Sequence, residues 1–125
     1  IELNRQIESD GVNAYTFVPF HGVPLRRVSE ENNFVKKGKI VRSLMNLTML
    51  NQPQFSKYEI EGIRRCFVLY VKMPKDRWDD IRKAESLTPE GDKIWLTLKE
   101  ECAEKYMNYG DHDATEDVGM VDFEK

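Results

Sequence analysis

Ser56-Lys57-Tyr58-Glu59-Ile60-Glu61-Gly62-Ile63-Arg64-Arg65-Cys66-Phe67-Val68-Leu69-Tyr70-Val71-Lys72-Met73 is the stretch on which the fold turns. Ser56 and Glu59 have the spacing of a capping box, in which hydroxyl and carboxylate satisfy each other's orphan backbone donors at a helix start. Phe55 and Ile60 are placed to staple across that start. Ile60, Ile63, Phe67 and Tyr70 recur at helical spacing, with Cys66 beside them. The second half is apolar almost all round, so the spacing predicts a helix at the centre of the core, stopped by Pro74.

C-terminal to it, Lys75 to Ala84 reads as a short helix with Trp78 and Ile81 facing inward. Thr88-Pro89-Glu90 is a second start signal: an N-cap, a proline at the first helical position and an acid favoured by the macrodipole. The helix it opens runs to about Met107, with Ile94, Leu98 and Cys102 on one stripe and Trp95 and Tyr106 flanking. Asn108-Tyr109-Gly110 ends it. Residues 111–125 hold six acids and no apolar period, the composition of a mobile acidic tail.

Towards the N-terminus, Ile40, Val41, Leu44, Leu47 and Thr48 share a helical face that Asn51-Gln52-Pro53 closes. Ahead of that face, either Phe34-Val35 opens a helix after Asn33 or Lys36-Lys37-Gly38-Lys39 is a turn. Before it the pattern changes to that of strands. Ile1, Leu3 and Ile7 open one run; Asp10-Gly11 separates it from Val12 to Phe20; and His21-Gly22 precedes a third run, Val23 to Val28. Asp-Gly between two such runs is a strong hairpin signal. Pro19 and Pro24 would hold these segments at sheet edges. The expected class is α+β: an N-terminal antiparallel β-meander of two or three strands packed on three or four helices. Residues 1–110 would form a single domain and residues 111–125 its tail.

The chain has 125 residues, 40% of them apolar and 33% charged, a globular mix. Two widely spaced cysteines, Cys66 and Cys102, do not make a disulfide scaffold and suit reduced thiols in the cytoplasm, with the nucleus left open. No apolar run approaches the ~20 residues of a membrane span.

Charge is unevenly placed. Residues 1–86 carry 15 basic and 11 acidic residues, a net of +4, and residues 87–125 carry 4 and 11, a net of −7. The basic side chains fall in two groups. Arg26, Arg27, Lys36, Lys37, Lys39 and Arg42 form the first; Arg64, Arg65, Lys72, Lys75, Arg77, Arg82 and Lys83 form the second. Such groups can contact phosphates or another anionic partner, and Tyr15, Phe17 and Phe20 could add stacking surface. Met120, Val121 and Phe123 are apolar anchors among acids in the tail, as in a segment that orders on a partner. Leu25-Arg26-Arg27-Val28-Ser29 has the form of a basophilic kinase target, making Ser29 a candidate phosphosite.

Catalytic groups are sparse. Nucleophilic catalysis needs a histidine organised beside Ser or Cys, and the only histidines are His21 and His112. Neither these nor the cysteines have zinc-type spacing, and no catalytic residue, metal ligand set or cofactor is assigned. Three readings follow. The first is a non-enzymatic protein-interaction or assembly module, of the kind that suits a viral structural or accessory protein, engaging protein partners or copies of itself through a basic face and an acidic tail. The second is an RNA- or DNA-associated regulator using the basic groups. The third is a small metal-dependent enzyme, for which Asp76 with Asp79 or Asp80 is the nearest carboxylate pair. No small-molecule substrate is evident in any of them.

Overall fold

A computed structural model of the chain describes residues 1–41, 43 and 47–107. It is helical, with helix over 54% and strand over 2% and no sheet, which overturns the α+β expectation: no N-terminal β-meander is present. Five α-helices are found among the described residues: α1 (Glu2–Arg5), α2 (Pro24–Glu31), α3 (Lys57–Lys72), α4 (Trp78–Ala84) and α5 (Pro89–Tyr106). A 3-10 turn, Lys75–Arg77, precedes α4. None of the described helices is long and apolar enough to cross a membrane. The chain gathers into two compact units, one made of residues 1–14 and the chain from Gly62 onward, the other of Tyr15–Glu61.

The first unit is built on α3, α4 and α5. Cys66, Leu69, Met73, Ile81, Ala84, Leu98 and Cys102 are sealed from solvent in one cluster that also takes in Tyr70, Trp95 and Met107. Two glycines let the backbones come close. A Cβ on Gly62 would collide with the Glu85 carbonyl, and one on Gly91 with the Ser86 carbonyl. Arg65, 4% exposed, fills the space between. Its Nε and Nη2 donate to Ala84 O at 2.9 and 2.5 Å, Nη2 also to Ser86 O at 2.6 Å, and Nη1 to Asp92 at 2.5 Å. One guanidinium therefore satisfies carbonyls left open at and just after the end of α4 and pairs with a carboxylate in the first turn of α5. Trp95 Nε1 donates to Arg65 O at 3.1 Å. Thr88 caps α5 by accepting from Gly91 N at 3.2 Å, as the sequence predicts.

The N-terminal residues belong to the same unit, and not as a strand. Leu3 and Ile7 are four apart, so they suit a helical turn as well as an alternating strand. Arg5 decides between the two: its Nη1 donates to Tyr70 O (2.6 Å), Val71 O (3.1 Å) and Met73 O (2.7 Å), capping the C-terminus of α3. Lys72 Nζ donates to Ser9 O, and Lys75 pairs with Glu2 at 2.7 Å.

The second unit has a small core of Val35, Met49 and Leu50, with Val18, Phe34 and Val41 packed on it. Here the meander fails for identifiable reasons. A type I′ turn at Asp10-Gly11 requires positive φ, and the glycines at positive φ are Gly22 (86°) and Gly38 (76°), not Gly11. The turn at His21-Gly22 does form, but Val23–Val28 leaves it as α2 rather than a strand. Pro24 occupies the first turn, where its missing N–H costs nothing. The pair Arg26–Glu30 (2.6 Å) closes one helical turn. Lys36–Lys39 is a turn, with Lys39 N donating to Lys36 O at 3.1 Å.

The helix expected from Ile40 is also absent. The described residues Ile40, Val41, Ser43 and Leu47–Leu50 are not helical, and Leu44 lies outside the described residues. Local side-chain acceptors compete with a helical ladder here. Thr48 N donates to the buried Glu61 carboxylate at 2.5 Å, and Leu50 N to Thr48 Oγ1 at 3.2 Å. The capping box forms as predicted: Ser56 N and Oγ donate to Glu59 Oε2 at 2.8 and 2.7 Å, and Glu59 N to Ser56 Oγ at 3.3 Å.

Candidate functional site

The basic groups read from the sequence meet different fates. In the second group, Arg65 is buried as described. Arg77 Nη1 donates to Glu101 at 2.9 Å and its Nε stands 3.6 Å from Asp80. Arg82 pairs with Asp79 at 3.2 Å and Lys83 with Asp80 at 3.0 Å, each along one turn of α4. Lys72 and Lys75 are tied to Ser9 and Glu2. Arg64 is half-buried and also engaged. These cations are largely matched within their own unit. Lys83 beside Asp80, and Lys105 with Arg77 beside Glu101, hold those carboxyls below the usual range.

In the first group, Arg26 is buried in the second unit while Arg27, Lys36, Lys37 and Lys39 are exposed; Arg42 lies outside the described residues. Arg27 stands 3.7 Å from Glu31 on the open surface. Glu30 accepts from Arg26 Nε at 2.6 Å and from Gly38 N at 3.4 Å. The hydrogen bond from Arg26 holds its carboxyl below the ordinary 4.5, with Gly38 adding to the effect. Glu30 thereby fastens the Lys36–Lys39 turn to α2, so five of the cations first grouped by sequence, Arg26, Arg27, Lys36, Lys37 and Lys39, sit on two segments that it joins. Ser29 is buried, with its hydroxyl donating to Leu25 O at 2.7 Å. The tail anchors Met120, Val121 and Phe123 lie outside the described residues.

An apolar surface is the feature that sequence reading underweighted. From Tyr15 to Phe20 the chain forms neither helix nor sheet; exposure alternates with the strand period from Tyr15 to Val18, and the buried Pro19 breaks it. Thr16 and Val18 turn inward, while Tyr15 (60% exposed), Phe17 (51%) and Phe20 (59%) turn to solvent. On α2, Leu25 (56%) and Val28 (44%) are exposed three residues apart, on one helical face. Among the described residues, no backbone N–H from Tyr15 to Gly22 donates to a backbone carbonyl. Aromatic side chains were anticipated here as stacking surface; Leu25 and Val28 were read only as parts of a third strand. Their spacing behind Pro24 was the available helical signal.

Nucleophiles and ligands are placed as follows. Cys66 and Cys102 are buried free thiols, and burial pushes them up to about 12 and about 11 respectively. Among the described residues, no group of three or more His, Cys, Asp or Glu could hold a metal ion. Comparison of the chain with protein-family models, curated proteins and solved structures gives no match.

Proposed function

We propose that this chain is a non-enzymatic interaction or assembly module that docks through the apolar surface from Tyr15 to Val28. The observation that carries the reading is the coincidence of six large exposed apolar side chains with a stretch, Tyr15 to Gly22, whose backbone N–H groups donate to no backbone carbonyl among the described residues. Aromatic residues with low rotamer entropy are the usual anchors of protein interfaces. Unpaired backbone beside them can add a strand to a partner's sheet or to a second copy. A unit of this size is also poorly able to bury its own apolar surface, since the buried fraction falls as chains shorten.

Sedimentation velocity of the full chain over a wide concentration range, alone and with Tyr15→Ser/Phe17→Ser/Leu25→Ser, tests it. Association that strengthens with concentration and is lost in the triple variant is the expected result. A chain that stays monomeric and whose Phe17-placed photo-crosslinker captures no protein more than the triple variant does would end the reading.

The exposed Lys36, Lys37 and Lys39 favour a second reading, association with RNA or DNA. Filter binding to single-stranded RNA should then weaken steeply with salt and fall on replacing these three lysines by alanine. No binding at low salt would remove it.

A further inference from the structure

At the turn before α2 lies an open hollow of about 390 Å³, lined by His21, Gly22, Val23, Pro24, Arg26, Arg27 and Glu30. Its chemistry is lopsided. The side chain of Arg26 is 5% exposed, and only two of its three nitrogens are matched: Nε donates to Glu30 at 2.6 Å and Nη1 to Pro19 O at 3.3 Å. Nη2 is buried with no acceptor. A buried donor left unmatched on a charged group is costly, more so than on a neutral one, so such a site favours an arriving acceptor.

Two further features act in the same sense. Val23 caps α2 without a side-chain hydrogen bond, Pro24 has no N–H, and Leu25 N donates to no backbone carbonyl among the described residues. The positive end of an uncapped helix dipole is thus left at the hollow, where anions are favoured. Arg27 lines it with a second guanidinium, and Glu30 fastens the Lys36–Lys39 turn to its rim. Glu30 is the one acid in the lining, and it is taken up by Arg26 Nε and Gly38 N.

We propose that this hollow is a binding site for a phosphate group, whose oxygens accept from Arg26 Nη2, from Arg27 and from the first turn of α2. The fork of a guanidinium matches a phosphate edge, as a lysine does not. The inference is independent of the apolar docking surface. It stands on the unmatched guanidinium and would survive a chain that never self-associates.

Amide and Arg Nε NMR of the full chain, titrated with inorganic phosphate at ionic strength held constant with sodium chloride, is the test. Saturable shifts confined to His21–Glu30 are expected. Arg27→Ala should weaken binding by about tenfold, the loss of one charge-assisted contact, and Arg26→Lys should remove saturation. Arg27 is exposed, so its variant decides the matter even if Arg26→Lys does not fold. A 5′-mononucleotide and an oligonucleotide without terminal phosphate separate the sources. Competition by the first alone identifies a phosphate monoester; competition by the second identifies a phosphodiester backbone. Shifts no larger than those with chloride, or equal affinity in Arg27→Ala, would overturn the proposal.

Discussion

Arg65 shows how a residue can be misread by its neighbour. Beside Arg64 it looks like half of a basic surface pair, yet consecutive helical residues point about 100° apart. Gly62, Arg65, Cys66, Leu69 and Met73 follow the spacing of one helical face, and that face is buried. The charge is tolerated because Asp92 and the Ala84 and Ser86 carbonyls surround it. Arg65→Met should therefore cost on the order of 3–5 kcal/mol, the range for breaking a buried pair, read from urea unfolding. Gly62 gives the complementary case. Alanine is the better helix former by about 1 kcal/mol, but its Cβ would strike the Glu85 carbonyl. Gly62→Ala should lower the melting temperature; a rise would mean that α3 and the residues after α4 are not this close.

At the scale of elements, legibility followed how local the determinants are. The starts of α3 and α5 were readable because Ser56, Glu59, Thr88 and Pro89 act within one turn of chain. Ser56→Ala should remove about 1 kcal/mol of stability, measured by the shift in urea midpoint, with α3 otherwise intact. The strands were misread because alternation in Tyr15–Val18 reports burial of alternate side chains, not pairing, and nothing local says whether a partner strand exists. The helix expected after Ile40 is not found among the described residues, and one contact there comes from a distance: Glu61 accepts from Thr48 N. Of the phosphate hollow, Arg26 and Arg27 were visible as cations; that Glu30 matches only one edge of Arg26 needed three dimensions.

For the whole molecule, the charge pattern changes meaning. The sequence set two basic groups apart as candidate surface, but in the first unit most cations have carboxylates or carbonyls beside them, while Arg27 and Lys36–Lys39 keep their charge exposed on the second. Glu2, Glu30, Glu59, Asp80 and Glu101 are all held below their ordinary values, by Lys75, Arg26, Ser56, Lys83 and Lys105 respectively. A carboxyl depressed on folding adds stability that is present above its unfolded value and lost as pH falls through its folded one. Unfolding midpoints should accordingly hold from neutral pH down to about 5 and then drop steadily. A midpoint that rises on acidification would contradict these pairings.

Docking through Tyr15–Val28 requires that the backbone N–H groups from Tyr15 to Phe20 be without backbone acceptors in the isolated chain and covered on assembly. Amide hydrogen exchange of Tyr15, Thr16, Phe17, Val18 and Phe20, followed as the protein is diluted or concentrated, measures both. Fast exchange in dilute chain, slowed several-fold as the protein associates, is the predicted result. Strong protection that persists at high dilution would mean these residues already have backbone partners within the chain, contradicting both the fold and the function argued from it.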